Sequence, residues 1–214
     1  IVIEKFGADY GGSGIRDTIA AIGSKQQIAN NDNPDKFDVI SMMYKHSQGY
    51  GDHRLYKVWA ENSGEAIDWY AEQMAKHGVK ILHEVDNHET GEKNEFYDVG
   101  HSIQWEGREY SSQFTMKLLL EDYKAKGLEV HYDTEMIKLV KDGNKVTGII
   151  AKTGDKYVKY NASKGVIVCT GGYSNNMDML RALQPESVKM IGVNYSFPGS
   201  SGQGIKACLW AGGV

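Results

Sequence analysis

The sequence lacks any concentration of positive charge and any apolar run long enough to cross a bilayer. Its 214 residues contain 24 Lys and Arg against 28 Asp and Glu, a net charge of −4, without a basic block. A nucleic-acid-binding surface needs clustered basic side chains, so we expect no nucleic-acid partner. Apolar runs such as 166–169 are far shorter than the roughly 20 residues of a membrane helix, so we expect no membrane span.

Cysteine and proline are also scarce. Two cysteines form no disulfide framework and no zinc-type pair, and three prolines argue against a low-complexity linker. The histidines lack the spacing of a metal site, so we expect no metal ion. Glycine, in contrast, is abundant and clustered: 25 of the 214 residues are glycine, whereas about 7% is usual.

Hydrophobic periodicity and turn residues predict strands and helices that alternate along the chain. Apolar runs separated by helices favour a parallel α/β sheet, into which a small antiparallel meander is inserted. Because the chain begins inside one predicted strand and stops at the entry to another, we expect an internal segment of a larger fold. The predicted strands are 1–4, 79–85, 128–132, 136–141, 146–152, 157–160 and the buried strand 166–169.

Capping residues predict where the helices start. Asn33 and Pro34 predict an N-cap and first helical residue for a helix that runs to about Gln48. Asp52 predicts the start of a second helix that ends at residues 77–78. Capping and the helix dipole explain the nearby Asp32, Asp35 and Asp38 better than a metal site does. Further helices are predicted over 112–126, 176–183 and 204–211, a glycine-bearing loop over 6–24, and an irregular polar segment over 86–110.

Four short segments are candidates for chemistry. Glu4 ends the first strand, where a carboxylate can accept hydrogen bonds from the ribose hydroxyls of an adenosine, or is simply an acidic surface residue. Three glycine-bearing loops, 11–14, 170–172 and 200–204, let the backbone approach an anion closely, or are simple turns. No G-x-S-x-G elbow and no Walker loop is present.

In this order, the segments resemble the FAD-binding domain of the fumarate reductase/succinate dehydrogenase flavoprotein family, which includes soluble fumarate reductases, urocanate reductases and 3-ketosteroid dehydrogenases. The resemblance covers nearly the whole chain. It is carried by residues 1–5 (Ile-Val-Ile-Glu-Lys), 11–13, 61–69, 133–137, 162–176 and 201–205.

The resemblance implies a Rossmann-like FAD-binding domain with a parallel central sheet and an inserted antiparallel β-meander. It further implies that residues 1–214 form a partial FAD-binding domain, without the first βα unit and without the substrate-capping domain. Such proteins hold their proton-donating and substrate-clamping residues beyond the matched region, so we assign no catalytic residue.

The resemblance also implies a set of FAD contacts. Adenosine would lie at the first strand and the backbone of residue 136, and the pyrophosphate, ribityl chain and flavin-side phosphate region at the glycine loops. The implied residues are Glu4, Lys5, Gly11, Gly12, Ser13, Met136, Thr170, Gly171, Gly172, Gly202, Gln203 and Gly204. Two departures stand out: Gln203 occupies a position where the family usually has Asp, and Ile19-Ala20 replaces a pair of small residues. Since no histidine precedes His46, we expect FAD to be bound non-covalently.

The implied function is an FAD-dependent oxidoreductase of the fumarate-reductase type, which transfers hydride between the flavin and an activated C=C bond. The expected substrate is a small unsaturated acid or ketone, and a redox partner domain or protein is possible. Two alternatives stay open: a flavin- or nucleotide-binding module that relays electrons without turnover, and a 3-ketosteroid dehydrogenase-like desaturase. A nicotinamide-dependent dehydrogenase shares Glu4 but leaves the two later glycine loops unexplained.

Overall fold

The computed structural model describes residues 1–8, 18–84, 97–104, 112–192 and 198–213. The chain divides into two compact units: unit 1 comprises residues 1–10 and 124–214, and unit 2 comprises residues 11–123. The secondary structure is a mixture of helices with parallel and antiparallel strands, so the α/β class expected from the sequence is confirmed.

Eight strands and seven helices lie within the described ranges. The strands are β1 (Val2–Ile3), β2 (Thr18–Ala20), β3 (Lys80–His83), β4 (Gly100–Gln104), β5 (Val130–His131), β6 (Thr134–Asp142), β7 (Lys145–Thr153) and β8 (Lys156–Asn161). The helices are α1 (Lys25–Ala29), α2 (Lys36–His46), α3 (His53–Ala75), α4 (Ser112–Ala125), α5 (Met177–Leu183), α6 (Pro185–Met190) and α7 (Gln203–Trp210). Within these ranges no helix is both long and apolar enough to cross a membrane.

Unit 1 combines a parallel strand pair with the predicted meander. β1 pairs with β5 in parallel, and β6, β7 and β8 form an antiparallel sheet in that order. Gly143 and Gly154 lie in the two hairpin turns with positive φ angles, a conformation that glycine adopts without strain. One face of the meander packs against α7, and the core contains Met136, Ile149 and Ala207.

The predicted buried strand at 166–169 is wrong. Val166 and Val168 pack against the core of unit 1, but Ile167 is 90% exposed and Cys169 is also exposed. The segment is extended without a ladder to any described strand. Its apolar composition predicted burial on both faces, whereas only one face is covered. α6, which Pro185 begins, was also not predicted.

Unit 2 contains a three-stranded antiparallel sheet in the order β2–β4–β3, together with the long helix α3. Gly64 of α3 lies against the backbone of Ile22 and Gly23: a Cβ at Gly64 would be 2.5 Å from the carbonyl of Gly23. Two apolar clusters form the core, and between them they bury Ala21, Ile22, Val39, Ile40, Ala60, Ile67, Met74, Val79, Ile81 and Ile103. Unit 2 also buries polar side chains, including those of Ser24, Gln27, His83 and His101.

Several boundaries predicted for unit 2 need correction. β2 lies within the predicted loop at 6–24, and β4 lies within the predicted irregular segment at 86–110. These strands are short and lack a clear alternation of apolar and polar residues, and they pair with each other across about 80 residues of chain. α1 was not predicted, although Ser24 and Gln27 have the identity and spacing of a capping box.

The helix predicted to start at Asn33 and Pro34 starts later, because Asp35 is the N-cap of α2 and accepts from the Phe37 N–H at 2.7 Å. Asp38 lies in the first turn of this helix, as the capping explanation expects. Asp32 does not cap α2; its Oδ2 lies 3.6 Å from Nε2 of His83. The predicted cap at Asp52 and the helices predicted over 112–126 and 176–183 are confirmed; the structure adds that Asn176 is the N-cap of α5.

Candidate functional site

The first part of the candidate site is the turn that follows β1. The Glu4 N–H donates to the carbonyl of His131 at 2.9 Å, and the Glu4 carbonyl accepts from the Thr134 N–H at 2.8 Å. The half-buried Glu4 side chain accepts from the Phe6 N–H at 2.9 Å through Oε1. This bond holds the carboxylate in one orientation and leaves Oε2 without a hydrogen bond to any described residue.

Lys5 lies beside the first residues of β6. Its Nζ contacts Oε1 of Glu135 at 2.8 Å and lies 5.8 Å from the centroid of the Phe6 ring. The Asp133 N–H donates to the Phe6 carbonyl at 3.2 Å, and Asp133 has a φ of 50°, which is unusual for a residue with a side chain. The chain around residues 4–6 is therefore attached to the start of β6 by both backbone and side-chain bonds.

Met136 contributes its side chain to the core rather than to the surface, since only 8% of the residue is exposed. Next to it, β6 contains a β-bulge: Met136 pairs with Ala151 and Lys138 with Ile150, so Ile137 has no partner residue in β7. The Ile137 carbonyl instead accepts from Nε2 of Gln203 at 2.8 Å. This bond joins the bulge in β6 to the first residue of α7.

The two later glycine loops are hydrogen-bonded to each other. The Gly202 N–H donates to the Gly172 carbonyl at 3.0 Å, and the Asn175 N–H donates to the Ser200 carbonyl at 2.9 Å. The side-chain amide of Asn176 adds a bond of 2.8 Å to the Ser201 carbonyl. The structure therefore brings residues 170–172 and 202–204 together, although about 30 residues separate them along the chain.

Glycine is required in this pair of loops by close packing. A Cβ at Gly204 would lie 1.9 Å from Oγ1 of Thr170, and a Cβ at Gly202 would lie 2.3 Å from Sδ of Met179. Gly171 and Gly202 also have positive φ angles of 70° and 74°. Gly172 differs from the others, because no atom of the described residues, its two chain neighbours aside, lies within 4 Å of the position that its Cβ would take. As far as the structure describes the chain, the space beside the backbone of Gly172 is open.

The N-terminus of α7 presents unused backbone donors. Gly202 is the N-cap without a side-chain cap bond, and the first intrahelical bond runs from the Lys206 N–H to the Gly202 carbonyl at 3.0 Å. The N–H groups of residues 203–205 precede that bond and carry the positive end of the helix dipole. Such a helix start suits an anionic group, most simply a phosphate.

Nine of the twelve residues proposed from the sequence lie in the described part of unit 1, and they are arranged along β6. Glu4 is attached at Thr134 and α7 is attached at Ile137, and three residues of strand span only about 10 Å. Gly11, Gly12 and Ser13 lie outside the described residues. The bulge at Ile137 was missed, because no local sequence signal distinguishes it.

The donor set fits an extended dinucleotide: a carboxylate with one open acceptor, backbone without obstruction at Gly172, and unused N–H groups at a helix start. Among the described residues, no three His, Cys, Asp or Glu side chains are placed to hold a metal ion. The site is thus suited to polar and anionic groups through hydrogen bonds.

Comparisons with known proteins agree with this geometry. Residues 16–214 match the FAD binding domain family. The chain is 25% identical over 156 residues to the NADH:fumarate oxidoreductase of Klebsiella pneumoniae (strain 342), which covers 71% of this chain and 15% of that protein. It is 26% identical over 211 residues to the vinyl phenol reductase of Lactiplantibacillus plantarum (strain ATCC BAA-793 / NCIMB 8826 / WCFS1), covering 95% of this chain and 38% of that protein.

The fold is that of a solved flavoenzyme. The open conformation of a flavocytochrome c3 fumarate reductase superposes with a TM-score of 0.74 at 20% identity and covers 99% of this chain and 36% of that chain. The chain thus spans well under half the length of the relatives it matches. The resemblance drawn from the sequence motifs is confirmed, and the family matched is one of FAD-binding rather than nicotinamide-binding domains.

Proposed function

The chain belongs to the FAD binding domain family, and we propose that unit 1 holds FAD along β6 in an oxidoreductase of the fumarate-reductase type. The observation that carries the proposal is that three segments far apart in the sequence are attached to the first four residues of β6, residues 134–137. Residues 4–5 attach at one end of this stretch, and the loops 170–172 and 202–204 attach at the other through Gln203. The further proposal that residues 1–214 form a single partial domain rests on the family match alone.

Glu4, Lys5 and Met136 serve the adenosine half of FAD. The Phe6 N–H fixes Oε1 of Glu4, so that Oε2 is free to accept from a ribose hydroxyl. Lys5 lies beside Phe6 and Glu135, where its aliphatic stem lines the position of the adenine. Met136 supplies backbone atoms only, because its side chain is part of the core.

The paired glycine loops serve the phosphates and the ribityl chain. The N–H groups at the start of α7 donate to phosphate oxygens, and Gly171 and Gly172 let the ligand approach the backbone without a side chain between them. Thr170 packs against Gly204 and thereby sets the distance between the two loops. Gly11, Gly12 and Ser13 remain proposed contacts to the pyrophosphate and the ribityl chain.

Bound FAD supplies the hydride acceptor and donor, so the redox chemistry belongs to the cofactor. The residues of this chain bind and orient it, and we assign none of them to catalysis. His131, the one histidine of unit 1, bonds to the Tyr160 hydroxyl and to Glu129 through its two ring nitrogens. This supports non-covalent attachment of FAD.

The proposed reaction is the reduction of a C=C bond next to a carboxylate or carbonyl group. Two of the relatives are named for reductions of unsaturated compounds, fumarate and vinyl phenol. A small unsaturated acid or ketone is therefore the proposed substrate, and an electron-donating domain or protein the proposed partner. A 3-ketosteroid desaturase is the second candidate within the same family.

The test begins with the full-length protein. We expect a flavin spectrum, release of the flavin on acid precipitation, and reoxidation of the reduced flavin by one of three probes: fumarate, a vinyl phenol or a 3-ketosteroid-1-ene. Reoxidation by the ketosteroid alone would replace the leading proposal with the steroid candidate. Flavin that no such acceptor reoxidises would instead support the electron-relay module, and absence of flavin binding would reject the proposal altogether.

The adenosine part of the proposal has its own test. Glu4→Gln keeps an oxygen for the Phe6 N–H but replaces the second acceptor with an NH2 group, so we expect FAD affinity to fall about tenfold. Glu186→Gln makes the same chemical change on the exposed face of α6 and is the control. Equal affinities of both variants and the wild type, measured by fluorescence titration of the FAD-free protein, would remove Glu4 from the site.

A further inference from the structure

The side chain of Gln203 is committed to the protein rather than left open for a ligand. Its Nε2 donates to the Ile137 carbonyl at 2.8 Å, in a partly buried position. Ile137 is the residue of the β-bulge in β6 that has no Cα partner in β7. An amide donor from another element is therefore what satisfies this carbonyl.

This bond is one of three attachments that locate the start of α7. The other two are the backbone bond from Gly202 to Gly172 and the close packing of Gly204 on Thr170. Both of those join α7 to the 170–172 loop. The Gln203 bond alone, among these three, joins the start of α7 to β6, where Glu4 is also attached.

A carboxylate at position 203 cannot make this bond. An ionised Asp or Glu has acceptors only, so its oxygens would face the Ile137 oxygen and repel it. A negative charge in the first turn would also compete with an anionic ligand for the N–H groups of residues 203–205.

We infer that Gln203 is a positioning residue. It sets the free N–H groups of α7 at a fixed distance along β6 from Glu4, so that both ends of the FAD site are held by one strand. The inference rests on the proposed binding of FAD to unit 1. It assigns the function of Gln203 to the N–H donor of its amide and not to contact with FAD.

The experiment compares Gln203→Glu with Gln203→Met in the full-length protein. Glu retains the size of the side chain and loses the donor, whereas Met loses the donor without adding charge. Gln184→Glu is the control, since Gln184 is exposed at the start of α6 and makes no side-chain cap bond. The measurements are the Kd for FAD at pH 7.5 and pH 5.5 and the Tm of the FAD-free protein.

At pH 7.5 we expect FAD to bind about 5-fold more weakly to the Met variant and about 30-fold more weakly to the Glu variant. At pH 5.5 the Glu variant regains much of its affinity, because the carbonyl favours the protonated carboxyl, which again has an O–H to donate. The Met variant shows no such recovery. The control binds FAD as the wild type does at both pH values.

Three results would overturn the inference. A lower Tm in both variants with unchanged Kd would reduce Gln203 to a purely structural residue. Equal and pH-independent losses of affinity at an unchanged Tm would show direct contact between the amide and FAD. A wild-type protein that binds no FAD would reject the proposed function, and with it the positioning inference; the first two results leave the proposed function intact.

Discussion

The two units of the chain use their polar groups in different ways. In unit 2 the fully buried Gln27 donates to the carbonyls of Ala21 and Asp98 and accepts from the Ser24 N–H. His101 is also buried, and its ring nitrogens bond to Ser24 Oγ and to the Val99 carbonyl. In unit 1, by contrast, the polar groups of interest are donors at the start of α7 and an acceptor on Glu4 that the unit itself leaves open.

This difference separates polar groups that hold a fold from polar groups that receive a ligand. A buried polar group costs free energy unless it is hydrogen-bonded, so the internally bonded groups of unit 2 are explained by structure alone. Groups that lie at a surface with free bonding capacity cost nothing there and are available to a partner. The open donors and the open acceptor described in unit 1 therefore agree with the proposed placement of FAD there.

The largest expected effects come from the glycines that are packed against other elements in each unit. Gly64→Ala in unit 2 places a Cβ against backbone atoms of residues 22–23, which cannot rotate away, so we expect a loss of about 3 kcal/mol in the free energy of unfolding.

Gly204→Ala in unit 1 places a Cβ against the side chains of Thr170 and Val168, which can move. We therefore expect a smaller loss, about 2 kcal/mol in the free energy of unfolding, together with weaker FAD binding. Urea titrations measure the free energy of unfolding of both variants. A larger loss in Gly204→Ala than in Gly64→Ala would contradict the expected order.

Gln27→Met tests the claim that the polar groups of unit 2 serve the fold. Met has a similar length and no hydrogen-bonding groups of comparable strength, so the Ser24 N–H and two carbonyls lose a buried partner. We expect the free energy of unfolding to fall by about 2 kcal/mol. Gln184→Met, at an exposed position, is the control for urea denaturation. If Gln27→Met were as stable as the control, the hydrogen bonds of Gln27 would make no net contribution to the free energy of unfolding.

Gly172→Ala tests the opposite claim for unit 1. Because no atom of a described residue other than its chain neighbours lies within 4 Å of the added methyl group, we expect the Tm of the FAD-free protein to stay within a degree or two of the wild type. The methyl group instead occupies space that we assign to FAD, so affinity should fall about tenfold. Gly192→Ala, whose added methyl group likewise meets no atom within 4 Å among the described residues, is the matched control. Unchanged FAD affinity in Gly172→Ala would place the ligand elsewhere.

The smallest effect concerns acid sensitivity in unit 2. Burial lowers the pKa of His101 below its ordinary value of 6.5 and outweighs the opposing hydrogen bond to the Val99 carbonyl. The neighbouring His83, whose ring centroid is 5.3 Å away, adds a smaller lowering of this pKa. The unfolded chain therefore binds a proton at pH values where folded His101 stays neutral. The resulting stability is complete above about pH 6.5 and is lost as the pH falls toward the folded pKa.

We expect His101→Gln to flatten the decline in the free energy of unfolding between pH 7 and pH 5, by at most about 1.4 kcal/mol per pH unit. The wild-type slope, measured over the same pH range, is the reference. The measurement is urea denaturation at a series of pH values. A slope in His101→Gln as steep as that of the wild type would assign the acid sensitivity to other groups.

Much of the fold could be predicted because its signals are local. Asp52 caps its helix as expected, the helix predicted over 176–183 is present, and the glycine turns of the meander join β6, β7 and β8 in the predicted order. The segments of the candidate site could also be predicted, since the clustering of glycine after strands is a property of the sequence. β2, β4 and the segment 166–169 could not be predicted, because their structure depends on which distant residues lie beside them, whereas α1 was missed despite its local capping box.

By itself, the sequence determined the class of the fold, the positions of most helices and the segments at which backbone can approach an anion. Only the tertiary structure decided that the apolar segment 166–169 is covered on one face, that β6 bulges at Ile137, and that the amide of Gln203 satisfies the carbonyl exposed there. The physical reason is range: periodicity and capping act within a few residues, whereas the partner of a carbonyl or an apolar face is set by packing between segments far apart in the chain.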